Sequence, residues 1–140
     1  MQDKIFLTST DTAIGFISQS QKGLDKAKQR AEGKKYITAL PSFRALRRRV
    51  PKKHRNLVRR AKKTTFILDK NFSFRVIRDK NHNLLLNRLG WAYTTSANRS
   101  NEEFDLSYAL SKADIIVYPL KSSSPSKIYK LGKSKIKRIR

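Results

Sequence analysis

The run Trp91-Ala92-Tyr93-Thr94-Thr95-Ser96-Ala97-Asn98 changes character part-way along. Trp91–Thr95 is aromatic and β-branched and reads as a strand. Ser96 and Asn98 follow at its end with a hydroxyl and an amide. Alone, a Ser/Asn turn after a strand is usually only a turn. Two further polar clusters flank β-prone stretches: Ser9-Thr10-Asp11-Thr12, after the apolar Lys4–Thr8, and Lys28-Gln29-Arg30, ahead of Tyr36–Leu40. Hydroxyl, amide and cationic donors all complement phosphate oxygens. Three such clusters together therefore point to a phosphate-binding surface.

The rest of the chain supplies a frame for them. Lys4–Thr8 is predicted to be a strand with Ile5 and Leu7 on one face. Gln21–Ala31 reads as a helix with Leu24, Ala27 and Ala31 at helical spacing. Tyr36–Leu40 is a strand ended by Pro41. Ser42 is placed to cap a helix burying Phe43, Leu46 and Val50. Pro51 suits the first turn of a second helix, with Leu57, Val58 and Ala61 on one side. Thr64–Leu68 and Phe72–Ile77 form a hairpin pattern. Asn83–Leu89 reads as a helix stopped by Gly90. Asn101 is placed to cap Glu102–Lys112, whose glutamates suit a helix N-terminus. Ala113–Tyr118, Ile128–Leu131 and Lys135–Ile139 are further strands, and Lys121–Pro125 is a Ser/Pro loop. Strands and helices that alternate in this way predict an α/β fold, bordering on α+β, with helices packed on a mixed sheet.

The 140 residues predict one domain spanning 1–140. A chain of this length buries roughly 68% of its unfolded surface and needs no staple. There is no cysteine, which excludes disulfides and thiolate metal sites. His54 and His82 both have polar sequence neighbours, so no metal site is expected. Ile5-Phe6-Leu7 is too short for a signal-peptide core. The longest aliphatic runs are Leu84-Leu85-Leu86 and Ile115-Ile116-Val117, so no membrane span and a cytoplasmic location are expected. The net charge is +23, and it is unevenly spread. Residues 42–63 hold eleven Lys/Arg and no acid, and residues 121–140 hold eight and no acid. Such a concentration attracts polyanions such as RNA, or anionic substrates; charge runs can equally be plain solvated surface.

Lys28 and Arg30 are two apart and do not share a helix face. They can share a strand face or straddle a helix end and converge on one ligand, and Lys34 follows four residues later. In so basic a chain this pair says little by itself. A generic turn with an Asp helix cap explains Thr10–Gly15 about as well as a binding loop does. The combination says more. A strand followed by Thr10-Asp11-Thr12-x-x-Gly15, then Lys28-x-Arg30-x-x-x-Lys34, then Thr95-Ser96-Ala97-Asn98, resembles the YrdC-like family of L-threonylcarbamoyladenylate synthases. Thr64–Leu68 is similar to the family's Leu-Thr-Leu-Ile-Leu strand, Phe74-Arg75-Val76 to its Arg-Val-Pro strand, and Ser124–Ile128 to its Pro-Ser-Thr-Ile segment. The likeness runs from Phe6 to Arg140. The chain departs from the pattern at Ser9 (for Pro), Ile14 (for Tyr), Ala61-Lys62-Lys63 (for Pro-Gly-Pro) and Asn101 (for Gly). It is also shorter between Gly15 and Lys28 and between Asn98 and Ser126.

The resemblance implies a nucleotidyltransferase that joins L-threonine, bicarbonate and ATP, with Mg2+ accompanying the nucleotide. The product is threonylcarbamoyl-AMP, the donor for threonylcarbamoyladenosine in tRNA, handed to tRNA-modification partner proteins. It implies Lys28, Arg30, Ser96 and Asn98 as the catalytic set. It implies Arg30, Lys34, Thr65, Asn98 and Arg140 on the ATP side, with Arg138 as the fallback for Arg140. Thr10, Thr12, Ser96 and Ser126 are implied on the threonine side. No protein-bound metal is implied. The alternative expectation is a non-catalytic double-stranded RNA- or tRNA-binding protein on the same fold.

Overall fold

Alternation along the strands divides the side chains into two layers, one on each side of a single sheet. The computed structural model describes residues 3–30 and 35–140. Lys34 and Ala31 lie outside these described residues, and the helix expected over Gln21–Ala31 already stops at Lys28, where Gln29 turns left-handed. The strands are β1 (Phe6–Ser9), β2 (Ile14–Ser18), β3 (Ile37–Leu40), β4 (Thr64–Asp69), β5 (Phe72–Val76), β6 (Ala92–Ser96), β7 (Ile115–Val117), β8 (Lys127–Leu131) and β9 (Ile136–Arg138). They form one sheet in the order β7-β1-β2-β6-β3-β5-β4-β8-β9. The β1/β7, β3/β5 and β4/β8 pairs are parallel and the others antiparallel. This is the expected mixed α/β architecture.

One row of partners, Ser18–Tyr93–Thr38–Phe74–Phe66–Tyr129, marks the first face. Toward β7, α1 (Gln21–Lys28) and α4 (Leu106–Lys112) cover this face, packing Leu24, Ala27 and Ala109 on Leu7, Ile14 and Phe16. Toward β9 the segment carrying α2 (Arg55–Arg60) packs Val50 and Val58 on Leu40, Phe66, Phe74 and Val76. On the second face, α3 (Lys80–Leu89) sets Leu86 against Phe6, Ile17, Ala39 and Ala92. Alternation of Phe6 and Leu7 thus sends one residue into each core.

The helix ends follow local chemistry. Ser20 caps α1 by accepting the Gly23 N–H (3.0 Å). Asp79 caps α3, accepting the Asn81 and His82 N–H groups, and Gly90 ends it at φ 85°. The expected Asn101 cap does not form. Asn101 sits at φ 64°, a left-handed conformation unlike the extended one an N-cap needs. Asp105 caps the shorter α4 instead, so Glu102 and Glu103 lie in the preceding loop.

The helix expected after Ser42 is reduced to a 3₁₀ turn at Phe43–Ala45. Ser42 is extended and makes no capping bond. Pro51 holds Val50 away from the helical region, and a helix here would set Arg44 against Arg47 and Arg48, like charges three and four residues apart. A second 3₁₀ turn, Lys52–His54, leads into α2, where Val58 is buried and Leu57 is exposed. Strand β2 was not expected from the sequence. Both its faces are covered, so Ile14–Ser18 shows no polar alternation.

Candidate functional site

Where α3 stops covering the second face, the sheet floor opens into a cavity of about 460 Å³. Its floor includes Gly15, Ile37, Arg75, Thr94 and Ser96. These residues share that face, as the pairs Gly15–Ser96, Ile37–Thr94 and Ala39–Arg75 require. The walls come from the loop after β1 (Thr10, Thr12), the chain after α1 (Arg30, Tyr36), the loop before β8 (Ser123, Ser126) and Arg140. A Cβ at Gly15 would lie 2.9 Å from the Thr95 carbonyl oxygen and 3.0 Å from Thr10 Cγ2, so this floor position requires glycine.

Six of the residues expected from the sequence line this one cavity: Thr10, Thr12, Arg30, Ser96, Ser126 and Arg140. Three others stand one layer behind, each bonded to a lining residue. Lys28 is 1% exposed. Its Nζ donates to the Ser96 and Asn98 carbonyl oxygens (both 2.9 Å) and to Asn98 Oδ1 (3.3 Å), so it braces the turn instead of facing the opening. Asn98 accepts a short bond from the Ser96 hydroxyl and donates Nδ2 to the Arg99 (2.9 Å) and Glu102 (2.7 Å) carbonyls. Thr65 shares a 3.0 Å hydrogen bond with Ser126 Oγ. Arg140 Nε donates to the Ser126 carbonyl (2.9 Å) and Nη2 to its hydroxyl (3.2 Å), whereas Arg138 is exposed on β9.

Local turns hold these groups. The Thr10 hydroxyl accepts the Thr12 and Ala13 N–H groups (3.1 Å each) and donates to the Ala13 carbonyl (2.6 Å). Gln29 is left-handed, at φ 51°, which ends α1 and turns Arg30 back. The Arg30 guanidinium sits 5.1 Å from the Tyr36 ring centroid, and its Nε donates to Ser100 Oγ (3.4 Å). Tyr36 donates its own hydroxyl to Asp25 (2.6 Å). Burial, followed by the Asp25 bond, pushes its pKa up to about 12. The departures at Ser9 and Lys63 carry contacts of their own. Ser9 Oγ donates to the Pro119 carbonyl (2.7 Å) and accepts the Lys121 N–H (2.6 Å). Lys63 reaches Ser123 in a short bond.

Sequence reading missed a cation at the cavity floor as a site residue. Arg75 is 5% exposed. Its Nη1 donates to Thr12 Oγ1 (3.2 Å), and its Nε lies 3.6 Å from Asp11, itself 5% exposed. The available signal was a single arginine between Phe74 and Val76 in an apolar strand. Burial raises the Asp11 pKa and lowers that of Arg75; desolvation outweighs their attraction at both groups. Asp11 therefore orients Arg75 instead of capping a helix. The two histidines, polar in sequence, are both buried. His54 Nε2 contacts the Gly132 carbonyl (2.9 Å). His82 lies on α3 with its pKa lowered to about 4, first by burial and then by Arg75.

Among the described residues no group of three or more His, Cys, Asp or Glu is placed to hold a metal ion. The lining is cations and hydroxyls, which suits an anion and not a bare divalent cation. No helix among the described residues is long and apolar enough to cross a membrane.

No family model matches the chain. Uncharacterized protein MG259 of Mycoplasma genitalium is 35% identical over 98 residues, 69% of this chain and 21% of that protein. Sua5 of P. abyssi superposes with a TM-score of 0.81 at 16% identity, over 99% of this chain and 52% of Sua5. Its complex with L-threonine gives 0.80 at 16% identity, over 99% and 50%. Full-length HypF in a phosphate- and nucleotide-bound form gives 0.71 at 16% identity, over 99% of this chain and 27% of HypF. The chain has the YrdC-like fold of Sua5. It spans about half the length of Sua5 and about a fifth of MG259.

Proposed function

We propose that the cavity joins L-threonine, bicarbonate and ATP into threonylcarbamoyl-AMP, releasing pyrophosphate and water. The observation that carries this reading is the convergence of Thr10, Thr12, Arg30, Ser96, Ser126 and Arg140, from both ends of the chain, on one cavity of about 460 Å³. That volume suits small-molecule substrates, within the ~300–1,000 Å³ range of such sites. The threonine-bound Sua5 and nucleotide-bound HypF structures on the same fold support the choice of ligands.

The chemistry asks for electrostatics more than for proton transfer. The threonine amine bonds to the bicarbonate carbon, a C–O bond breaks and its oxygen leaves as water; the resulting carbamate is already an anion. One of its oxygens attacks the α-phosphorus of ATP, the bond to the bridging oxygen breaks, and that electron pair leaves with pyrophosphate. The barrier is repulsion between anions and charge growing on the leaving group. Arg30 and Arg140 face the phosphates, where preorganised cations act most strongly on developing charge. Arg75, aimed by Asp11 and Thr12, lies with Thr10, Thr12 and Ser126 on the threonine side. Lys28 is a positioning residue that holds Ser96 and Asn98 in register. Mg2+ enters as part of the ATP substrate, held by its phosphates. The adenylate is then passed to partner proteins that modify tRNA.

Pyrophosphate release from ATP tests this reading. Release should require both threonine and bicarbonate. Release indifferent to threonine overturns the proposed reaction, and no release from a folded chain that binds tRNA supports the non-catalytic RNA-binding alternative instead.

A further inference from the structure

On the face of the sheet opposite the cavity, the arginine-rich segment and α1/α4 cover different strands and leave a gap between them. It is a groove of about 600 Å³. Its floor is Thr38 and Tyr93, the immediate neighbours of Ile37 and Thr94, which line the cavity on the other side. Arg44, Arg47 and Arg48 form one bank, and Trp91, Tyr93 and Phe72 bring aromatic rings to it. Arg44, Arg47 and Arg49 are exposed and make no hydrogen bond or ion pair with any described residue. Arg48 lies 4.7 Å from the Phe72 ring centroid and pairs with Asp69 at 3.0 Å. A second basin of about 430 Å³ continues past Arg47 and Arg48 to Arg49, Arg55 and Arg59, where Arg59 lies 5.1 Å from the Phe43 ring.

The aromatic content is the informative part. The run 42–63 has one aromatic of its own, Phe43, and would by itself attract any polyanion. The fold adds Trp91, 38% exposed and edge-to-face with Tyr93 at 5.1 Å. A charged bank beside the exposed Trp91, with the half-buried Tyr93 and Phe72 next to it, matches a strand whose phosphates meet arginine while a base stacks on an aromatic ring. A paired duplex keeps its bases stacked on each other and offers such rings nothing to hold. An acidic peptide would use the charge and leave the rings idle.

We propose that this groove and the basin adjoining it bind an unpaired nucleic-acid strand, with phosphates on Arg44 and Arg47 of the groove and Arg49 of the basin, and a base on Trp91. The proposal concerns the opposite face of the sheet and does not rest on the reading of the cavity.

Trp91 is the only tryptophan in the chain, so its emission reports on this groove alone. Twelve-nucleotide oligo(U) and oligo(dT) should each be titrated into the full chain at low salt, beside an RNA duplex of equal length and poly-glutamate. Quenching by a single strand and not by duplex or peptide is expected; a preference between oligo(U) and oligo(dT) identifies the sugar. Anisotropy of a labelled strand should show Trp91→Leu weakening binding about tenfold. Trp91→Phe should restore most of the affinity, which separates stacking from a folding defect. Arg44→Ser with Arg47→Ser should lower the salt slope by about 1.4. Unchanged emission at saturation, equal affinity in Trp91→Leu, or displacement of the strand by ATP with threonine would overturn the proposal.

Discussion

The two faces of the sheet handle positive charge in opposite ways. On the cavity side Lys28 and Arg75 are buried, and Arg30 and Arg140 are tied to neighbouring side chains or carbonyls. On the groove side Arg44, Arg47 and Arg49 stand exposed with no bonded partner among the described residues. Cations held in place before a ligand arrives can stabilise charge at a defined point. Free cations supply a field that steers and retains a polyanion without defining a reaction coordinate. Net charge of +23 thus conceals two devices, separated by the thickness of one sheet.

Truncating one cation on each side should break this comparison most sharply. Arg30→Ala is expected to lower pyrophosphate release on the order of a hundred- to thousandfold. Its stability cost should be about 0.5 kcal/mol, since Arg30 is only half-buried. Arg47→Ala should leave release within about twofold, because an exposed arginine on the far face sees little of the reacting charge. Comparable rate losses in both variants would erase the division of roles.

Acid should destabilise the buried side first. His82, with a pKa near 4 in the fold, stays neutral where the unfolded chain binds a proton at about 6.5. Stability is therefore lost as pH falls from about 6.5 toward 4, by at most about 3 kcal/mol, and this contribution levels off below. Asp11 works the other way at the acid end, since its raised pKa lets the folded state take up a proton early. Denaturation midpoints measured between pH 7 and 4 should fall in the native chain and fall less in His82→Asn. Identical slopes in the two would rule out His82 as the source.

On the exposed side, Arg44, Arg47 and Arg49 all changed to Ser should reduce the salt dependence of oligonucleotide binding by about 2 logarithmic units. Melting temperature should barely move. The smallest expected effect concerns the shell behind the cavity wall. Thr65→Val removes the bond to Ser126, costing about 1 kcal/mol of stability. Through Ser126 it should loosen Arg140, raising KM for ATP severalfold with little change in kcat. A change confined to kcat would place Thr65 differently.

Legibility in the sequence followed the range of the interactions. Thr10, Thr12 and the Ser96–Asn98 turn were readable because hydroxyls at strand ends are local features. Ser126 and Arg140 came from family likeness alone; they reach the cavity through the β4/β8 pairing, which no local pattern encodes. Asp11 read as a helix cap because its partner, Arg75, is 64 positions away. Strand β2 escaped notice because burial on both faces removes alternation and Gly15 lowers strand propensity. Residues 42–50 carried helical spacing, yet Pro51 and the like charges of Arg44, Arg47 and Arg48 at that same spacing overrode it. Nothing near the arginine run announced Trp91 or Phe72; Thr38 joins them to it, pairing with Tyr93 on one side and Phe74 on the other.

A chain of 16.2 kDa suits amide chemical-shift mapping, which tests the two-face account most directly. Titration with ATP and L-threonine should move amides of Thr10–Thr12, Thr94–Asn98, Ser126 and Arg140, leaving Arg44–Arg49 and the Trp91 indole unmoved. A single-stranded oligonucleotide should do the reverse. If both ligands shift the same residues, or if ATP and threonine shift only the arginine-lined face, the division of the sheet into a substrate side and a strand-binding side is wrong.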